Sequence, residues 1–113
     1  MTEHISKQYD QDLEALRSRM MQMGGLVESQ IRSAVAGYLN GDADKIEQVI
    51  AADAKVNELE IAIDDDLRHV IVRRQPAASD LRLIMAVSKT VTDLERIGDE
   101  AAKIARIDRK SVV

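Results

Sequence analysis

Thr92-Asp-Leu-Glu-Arg-Ile-Gly-Asp-Glu-Ala-Ala-Lys-Ile-Ala105 is the stretch on which the fold turns. Its apolar residues, continued upstream as Leu83, Val87, Leu94, Ile97, Ala101 and Ile104, keep to one stripe of a helix. Glu95 and Asp99 stand four residues apart along the edge of that stripe. Carboxylates at the edge of a core are costly unless a cation meets them, so this pair is the first functional clue.

Composition supports the helical reading. The chain has 113 residues, 45% hydrophobic and 32% charged, enough for one small domain with a modest core. Tyr9 and Tyr38 are its only aromatic residues, so Leu, Ile, Val, Ala and Met must fill the interior. That palette suits closely packed helices and suits strands poorly. The expected class is all-α. A net charge of −4 argues against general affinity for nucleic acid, which needs a clustered basic face. The absence of cysteine excludes disulfides and thiolate metal sites. No apolar run approaches bilayer length, and Met1 to Asp12 lacks the apolar core of a secretory signal, so the expectation is a cytoplasmic protein without membrane insertion.

Working outward, three helices are expected, at about 5–39, 43–74 and 77–107. The first starts near His4 to Ser6 and carries Tyr9, Leu13, Leu16, Met20, Met23, Val27, Ile31, Ala34 and Tyr38 on one side. Gly24-Gly25 within it predicts close helix packing or a bend, and the methionines read as flexible core filler. Gly41 can end this helix, and Asp42 or Asp44 can cap the next. The second helix has a seam of Ile46, Val49, Asp53, Val56, Glu60, Ile63, Leu67 and Val70, alternating steps of three and four. Two of those positions are acidic, with Asn57 on the same face and Asp64 one turn beyond Glu60. Gln75-Pro76 ends it, because the residue before proline is pushed out of the α region. The third helix turns Leu81, Ile84, Val87, Val91, Leu94, Ile97 and Ile104 inward. It fades from Ile107, where the tail has no helix-stop glycine and reads as an arbitrary end.

Three long helices with short turns imply an antiparallel three-helix bundle. Residues about equally far from the second turn then share one height, which brings Asp53 and Asn57 level with Glu95 and Asp99, and Glu60 within two turns. Glu28 comes level with Ala54 by the same rule. Converging oxygen ligands, with no Cys and with His4 and His69 outside the cluster, favour a hard ion such as Mg, Mn, Fe or Ca over structural zinc. The bland alternative is an ordinary charged face with exposed intrahelical ion pairs.

Four segments, Met23 to Glu28, Val56 to Asp64, Arg73 to Arg82 and Asp93 to Asp99, together resemble the PhoU family. The last two, Arg-Arg-Gln-Pro-Ala-Ala-Ser-Asp-Leu-Arg and Asp-Leu-Glu-Arg-Ile-Gly-Asp, are the most specific, and the match covers nearly the whole chain. The resemblance implies a cytoplasmic phosphate-transport accessory protein and negative regulator of the phosphate-starvation response. It implies two tandem three-helix repeats, each with a Glu or Asp followed four residues later by Asp and able to bind multinuclear iron, or other metals such as manganese, magnesium or zinc. Here that pattern falls on Glu95 and Asp99, with Glu60 and Asp64 as counterpart on the second helix; Asp53 and Asn57 join through the height argument. The implied partners are the phosphate transporter ATPase and a membrane sensor histidine kinase. Only one repeat is present, so the resemblance makes residues 1–113 the N-terminal half of a two-repeat protein.

Arg73, Arg74, Arg82 and Arg96 read as solvated helix-end charges, and His69 as a surface residue. No nucleophile–base pair, phosphate-cradling glycine loop or Ser/His/Asp set is present, so a non-enzymatic adaptor is expected. The alternative is a metal-binding helical bundle with a redox or storage role, although the Glu-x-x-His pairs of such bundles are missing. A homodimer or higher oligomer is expected, formed through the face meant for the missing repeat.

Overall fold

Three segments with helical periodicity become α1 (Thr2–Asn40), α2 (Ala43–Arg74) and α3 (Ala78–Val112). The structure is a computed structural model that describes the backbone of residues 2–112 and the side chains of residues 7–110. The helices pack side by side as an all-α, up-down-up bundle of 62 × 18 × 17 Å, with no strand among the described residues. His4 lies outside the described side chains.

The turns follow their local chemistry. Gly41 has φ +62, the left-handed conformation that releases α1 from its axis. Asp42 caps α2, its carboxylate accepting from the backbone N–H of Asp44 at 3.1 Å and of Lys45 at 3.2 Å. At the second turn the residue before proline leaves the right-handed α region, but into the left-handed one. Gln75 has φ 45 and ψ 63, and its N–H still donates to the Ile71 carbonyl at 3.3 Å, closing the last turn of α2. The third helix runs on to Val112 instead of fading at Ile107. Nothing in Asp108 to Ser111 stops a helix, Ala105 is buried, and Arg109 reaches Glu47 of α2 at 3.4 Å.

The seams settle which faces are inside. On α2 the buried residues are Ile46, Val49, Val56, Ile63, Leu67 and Val70, with Asp53 and Glu60 half-buried between them, as the periodicity predicts. On α1 the inward set is Leu13, Leu16, Met20, Met23, Val27, Gln30, Ala34 and Gly37, which corrects the expected Ile31 and Tyr38. The expected stripe took two successive steps of four at Met23, Val27 and Ile31. Sustained packing requires alternating threes and fours, and that register places Gln30 and Gly37 on the seam.

The same rule governs α3. Ile84, Val87, Val91, Leu94, Gly98, Ala101 and Ala105 face inward, whereas Leu81, Leu83, Ile97 and Ile104, all expected inside, are exposed. Small residues replace large ones because the helices are close here. A Cβ added to Gly98 would lie 2.7 Å from Gln30 Oε1 and 3.6 Å from Val56 Cγ1; one on Gly37 would lie 2.7 Å from Ile46 Cγ1. Gly24 and Gly25, expected to mark such contact, have nothing within 4 Å of that position, and α1 runs through them as one helix.

Two core clusters result. A long one, rich in Leu, Met, Ile and Val, runs from the Pro76 end through the middle of the bundle. A short one of Ala34, Ile46, Val49, Ala101 and Ala105 closes the Gly41 end. Between them Gln30, 1% exposed, donates from Nε2 to the Val49 carbonyl at 3.2 Å, while its Oε1 has no partner among the described residues. A single polar group in a helical seam fixes register at some cost in stability.

Candidate functional site

The α2 seam sets its acids on the side that meets α3, and the turn decides which partners they meet. Residues 75–77 link the two helices without adding equal rise to both, so facing pairs shift toward higher numbers on α3. Asp53 therefore comes opposite Arg106, 3.8 Å away, instead of Glu95, and Glu47 comes opposite Arg109. The residue that meets Glu95 is Glu60.

Glu60, Asp64 and Glu95 line a groove of about 650 Å³ between α2 and α3, together with Arg68, Ser88 and Thr92. Burial pushes the Glu60 carboxyl above its ordinary value, and the charges of Glu95 and then Asp64 push it further in the same direction. The remaining candidates lie apart from this group. Asp99 pairs with Lys103 at 3.3 Å on its own helix, Asp53 is held by Arg106, and Asn57 is exposed. Glu28 pairs with Arg32 at 2.6 Å on the surface of α1.

The expected convergence of Asp53, Asn57, Glu60, Glu95 and Asp99 is thus replaced by a smaller group of Glu60, Asp64 and Glu95. Asp64 is also engaged by Arg68 at 3.1 Å, a neutralising partner that the i, i+4 spacing could have revealed. Among the described residues, no three His, Cys, Asp or Glu side chains come together closely enough to enclose an ion. The donors suit a hard cation in kind, since all are oxygens. Their spacing gives an open groove rather than a cage, the situation in which such an ion keeps several of its waters.

The arginines divide. Arg74, expected to be solvated, is partly buried and its Nε donates to Asp12 at 2.9 Å, tying the end of α2 to the start of α1. Arg73, Arg82 and Arg96 are exposed, as is His69. Sequence reasoning missed a second groove, about 560 Å³ between α1 and α3, lined by Ile31, Val35, Tyr38, Leu39, Ile97 and Ile104. The available signal was a second four-then-three spacing at 31, 35, 38 and at 97, 101, 104. No helix among the described residues is long and apolar enough to cross a membrane.

Comparison with known proteins agrees with this architecture. The PhoU domain model matches residues 20–107. The chain is 51% identical over 106 residues to a phosphate-specific transport system accessory protein PhoU homolog of Pseudomonas putida, covering 94% of this chain and 41% of the relative. It is 48% identical over 106 residues to phosphate-specific transport system accessory protein PhoU of Escherichia coli K12, covering 94% and 44%. The crystal structure of PhoU from Pseudomonas aeruginosa superimposes with a TM-score of 0.89 at 46% identity, covering 92% of this chain and 50% of that one. The chain spans less than half the length of these curated relatives and half of the solved one. A family model covering most of the bundle, and a solved relative with the same helices in the same arrangement, place this chain in the PhoU family.

Proposed function

We propose that this chain is the N-terminal three-helix repeat of a cytoplasmic accessory protein of a phosphate transport system. In this reading it works without catalysis, by docking. It contacts the transporter ATPase and a membrane sensor histidine kinase, and so silences the phosphate-starvation response when phosphate is plentiful. The observation that carries the reading is identity near one half, over almost the whole chain, to proteins named for that accessory role. Long rigid helices with charged faces are suited to docking, and no Ser/His/Asp or phosphate-loop arrangement suggests turnover.

The test is co-purification of the purified chain with the transporter ATPase and with the kinase, each presented separately. Retention of the ATPase, lost when Glu60, Glu95 and Asp99 are together replaced by the corresponding amides, is the expected result. Failure to retain either partner sinks the reading for this chain.

A hydrated hard cation, iron, manganese or magnesium, is the proposed guest of the α2/α3 groove. Burial raises Glu60 first and the charges of Glu95 and Asp64 add to it; the cation would offset that added repulsion, and its contacts would be Glu60, Glu95 and Asp64. Manganese titration followed by NMR checks this. Selective broadening at those three residues, abolished by Glu60→Gln/Glu95→Gln, is expected; uniform broadening along all exposed acids would discard the site.

A further inference from the structure

The α2/α3 groove does not end where its acids end. On α2, Ile71 stands seven residues beyond Asp64 and Val72 eleven beyond Ile61; on α3, Leu81 and Met85 stand seven before Ser88 and Thr92. Spacings of seven and eleven return a helix to the same face, so these four residues extend both walls of the groove toward the Pro76 turn. Glu60 meets Glu95, and antiparallel helices rise equally, so Ile71 comes level with residue 84, between Leu81 and Met85. All four are exposed, Val72 at 74% and Met85 at 64%. One continuous face therefore carries acids at one end and apolar residues at the other, and it spans about 17 Å from Glu60 to Ile71.

Charge selects the occupant. Glu58, Glu60, Asp65 and Glu95 line the groove without an ion-pair partner among the described residues, and Arg68, the only cationic residue lining it, is engaged by Asp64 at 3.1 Å. The floor beneath these acids is apolar, with Leu67 and Val91 buried there. A bare ion would meet the carboxylates and gain nothing from Ile71, Val72, Leu81 and Met85. A lysine or arginine side chain lays an apolar stem on such a floor and keeps its charge at the rim. Nucleic acid and anionic lipid bring charge of the wrong sign, and a second copy of this chain would set acids against acids. What answers both ends of the face is a helix with cationic residues in one part and an apolar stripe in the other, lying in the furrow between two helices.

We infer that the α2/α3 face, from Glu60 and Glu95 to Ile71 and Met85, receives a basic amphipathic helix of a partner protein. The inference rests on the docking reading above and specifies where, and by what chemistry, the partner is held. The cation proposed for the same acids meets only one end of this face, so the helix displaces it.

Two synthetic helical peptides of about five turns, with the same leucine stripe but flanked by lysine in one and glutamate in the other, test the inference against the 113-residue chain. Calorimetry measures affinity and NMR maps the contact. The lysine peptide should bind and shift the amides of Glu60, Glu95, Ile71 and Met85, and the glutamate peptide should bind at least about tenfold more weakly. Glu60→Gln/Glu95→Gln should weaken the lysine peptide about tenfold and flatten its salt dependence. Val72→Ser/Met85→Ser, at exposed positions that folding does not need, should weaken it by a similar factor with unchanged circular dichroism. No binding of the lysine peptide, equal binding of both peptides, a footprint on the α1/α3 groove, or indifference to Val72→Ser/Met85→Ser overturns the inference. So does a footprint that vanishes in the longer protein, because another part of the same polypeptide then covers the face. The two readings fail separately. Retention of the transporter ATPase that survives Val72→Ser/Met85→Ser sinks this inference and keeps the docking reading, whereas mapped peptide binding without retention of either partner does the reverse.

Discussion

The two grooves flanking α3 differ in what surrounds them and in what they ask of a partner. The α2/α3 groove presents Glu60, Asp64 and Glu95, and its repulsion is built into the fold because Glu60 sits half-buried on the α2 seam. The α1/α3 groove presents Ile97, Ile104, Tyr38 and Leu39, and its exposure follows from small residues taking the inward positions. One helix therefore offers charge on one flank and apolar surface on the other. Hydrophobic residues are not inside merely because they are hydrophobic; the seam that keeps three helices in contact over 62 Å selects the inward positions first.

The strongest challenge to this comparison sets two isoleucines of α3 against each other. Ile84 is 2% exposed and Ile104 is 50% exposed. Ile84→Ala should cost about 3 kcal/mol in urea unfolding, through lost burial and the cavity left behind. Ile104→Ala, measured where the chain is monomeric, should cost less than about 1 kcal/mol. Equal costs would mean that Ile104 belongs to the core and that the apolar groove is closed.

Glycines sharpen the same point. Gly98→Leu has no room between Gln30, Val27 and Val56 and should destabilise by about 3 kcal/mol, enough to separate α1 from α3 locally. Gly25→Ala, in open surroundings within a continuous helix, should instead stabilise by about 1 kcal/mol. The opposite signs, read from the same denaturation experiment, would distinguish a glycine required by packing from one that is merely tolerated.

The acidic flank predicts a pH dependence. Native Glu60 keeps its proton above the ordinary 4.5, so the native state binds more protons than the unfolded chain between 4.5 and the raised native value. This group's contribution to stability is complete below 4.5 and is lost as pH rises through the native value. Glu60→Gln should therefore be more stable than wild type at neutral pH, by less than about 1 kcal/mol after solvent screening. The advantage should vanish below 4.5, and thermal melts across that range measure it. A smaller effect is expected at the turn. Gln75→Gly relieves a left-handed side-chain-bearing residue and should add about 0.5 kcal/mol, seen as a slight rise in melting temperature.

Much of the molecule was legible before any coordinates. The three helices, the Gly41 and Asp42 turn signals and the α2 seam follow from local chemistry, and the structure reproduces them. The acids at 60, 64, 95 and 99 were visible as a pattern, but their grouping was not. It depended on how residues 75–77 offset α3 against α2, and that offset gave Arg106 to Asp53 and left Glu95 to Glu60. Glu95 and Asp99 mark adjacent turns of one helix, yet only Glu95 reaches the groove, while Asp99 turns to Lys103.

The sequence by itself determined the helical class, where the chain turns, and the presence of two apolar spacings on α1 and α3, because capping, proline geometry and periodicity act over a few residues. Tertiary structure alone decided which spacing faces inward. That choice depends on all three helices at once: Gln30 must reach the Val49 carbonyl, and Gly98 must admit Gln30, Val27 and Val56. Only a seam of small and polar residues lets the helices approach that closely, and the larger isoleucines, Tyr38 and Leu39 are left at the surface.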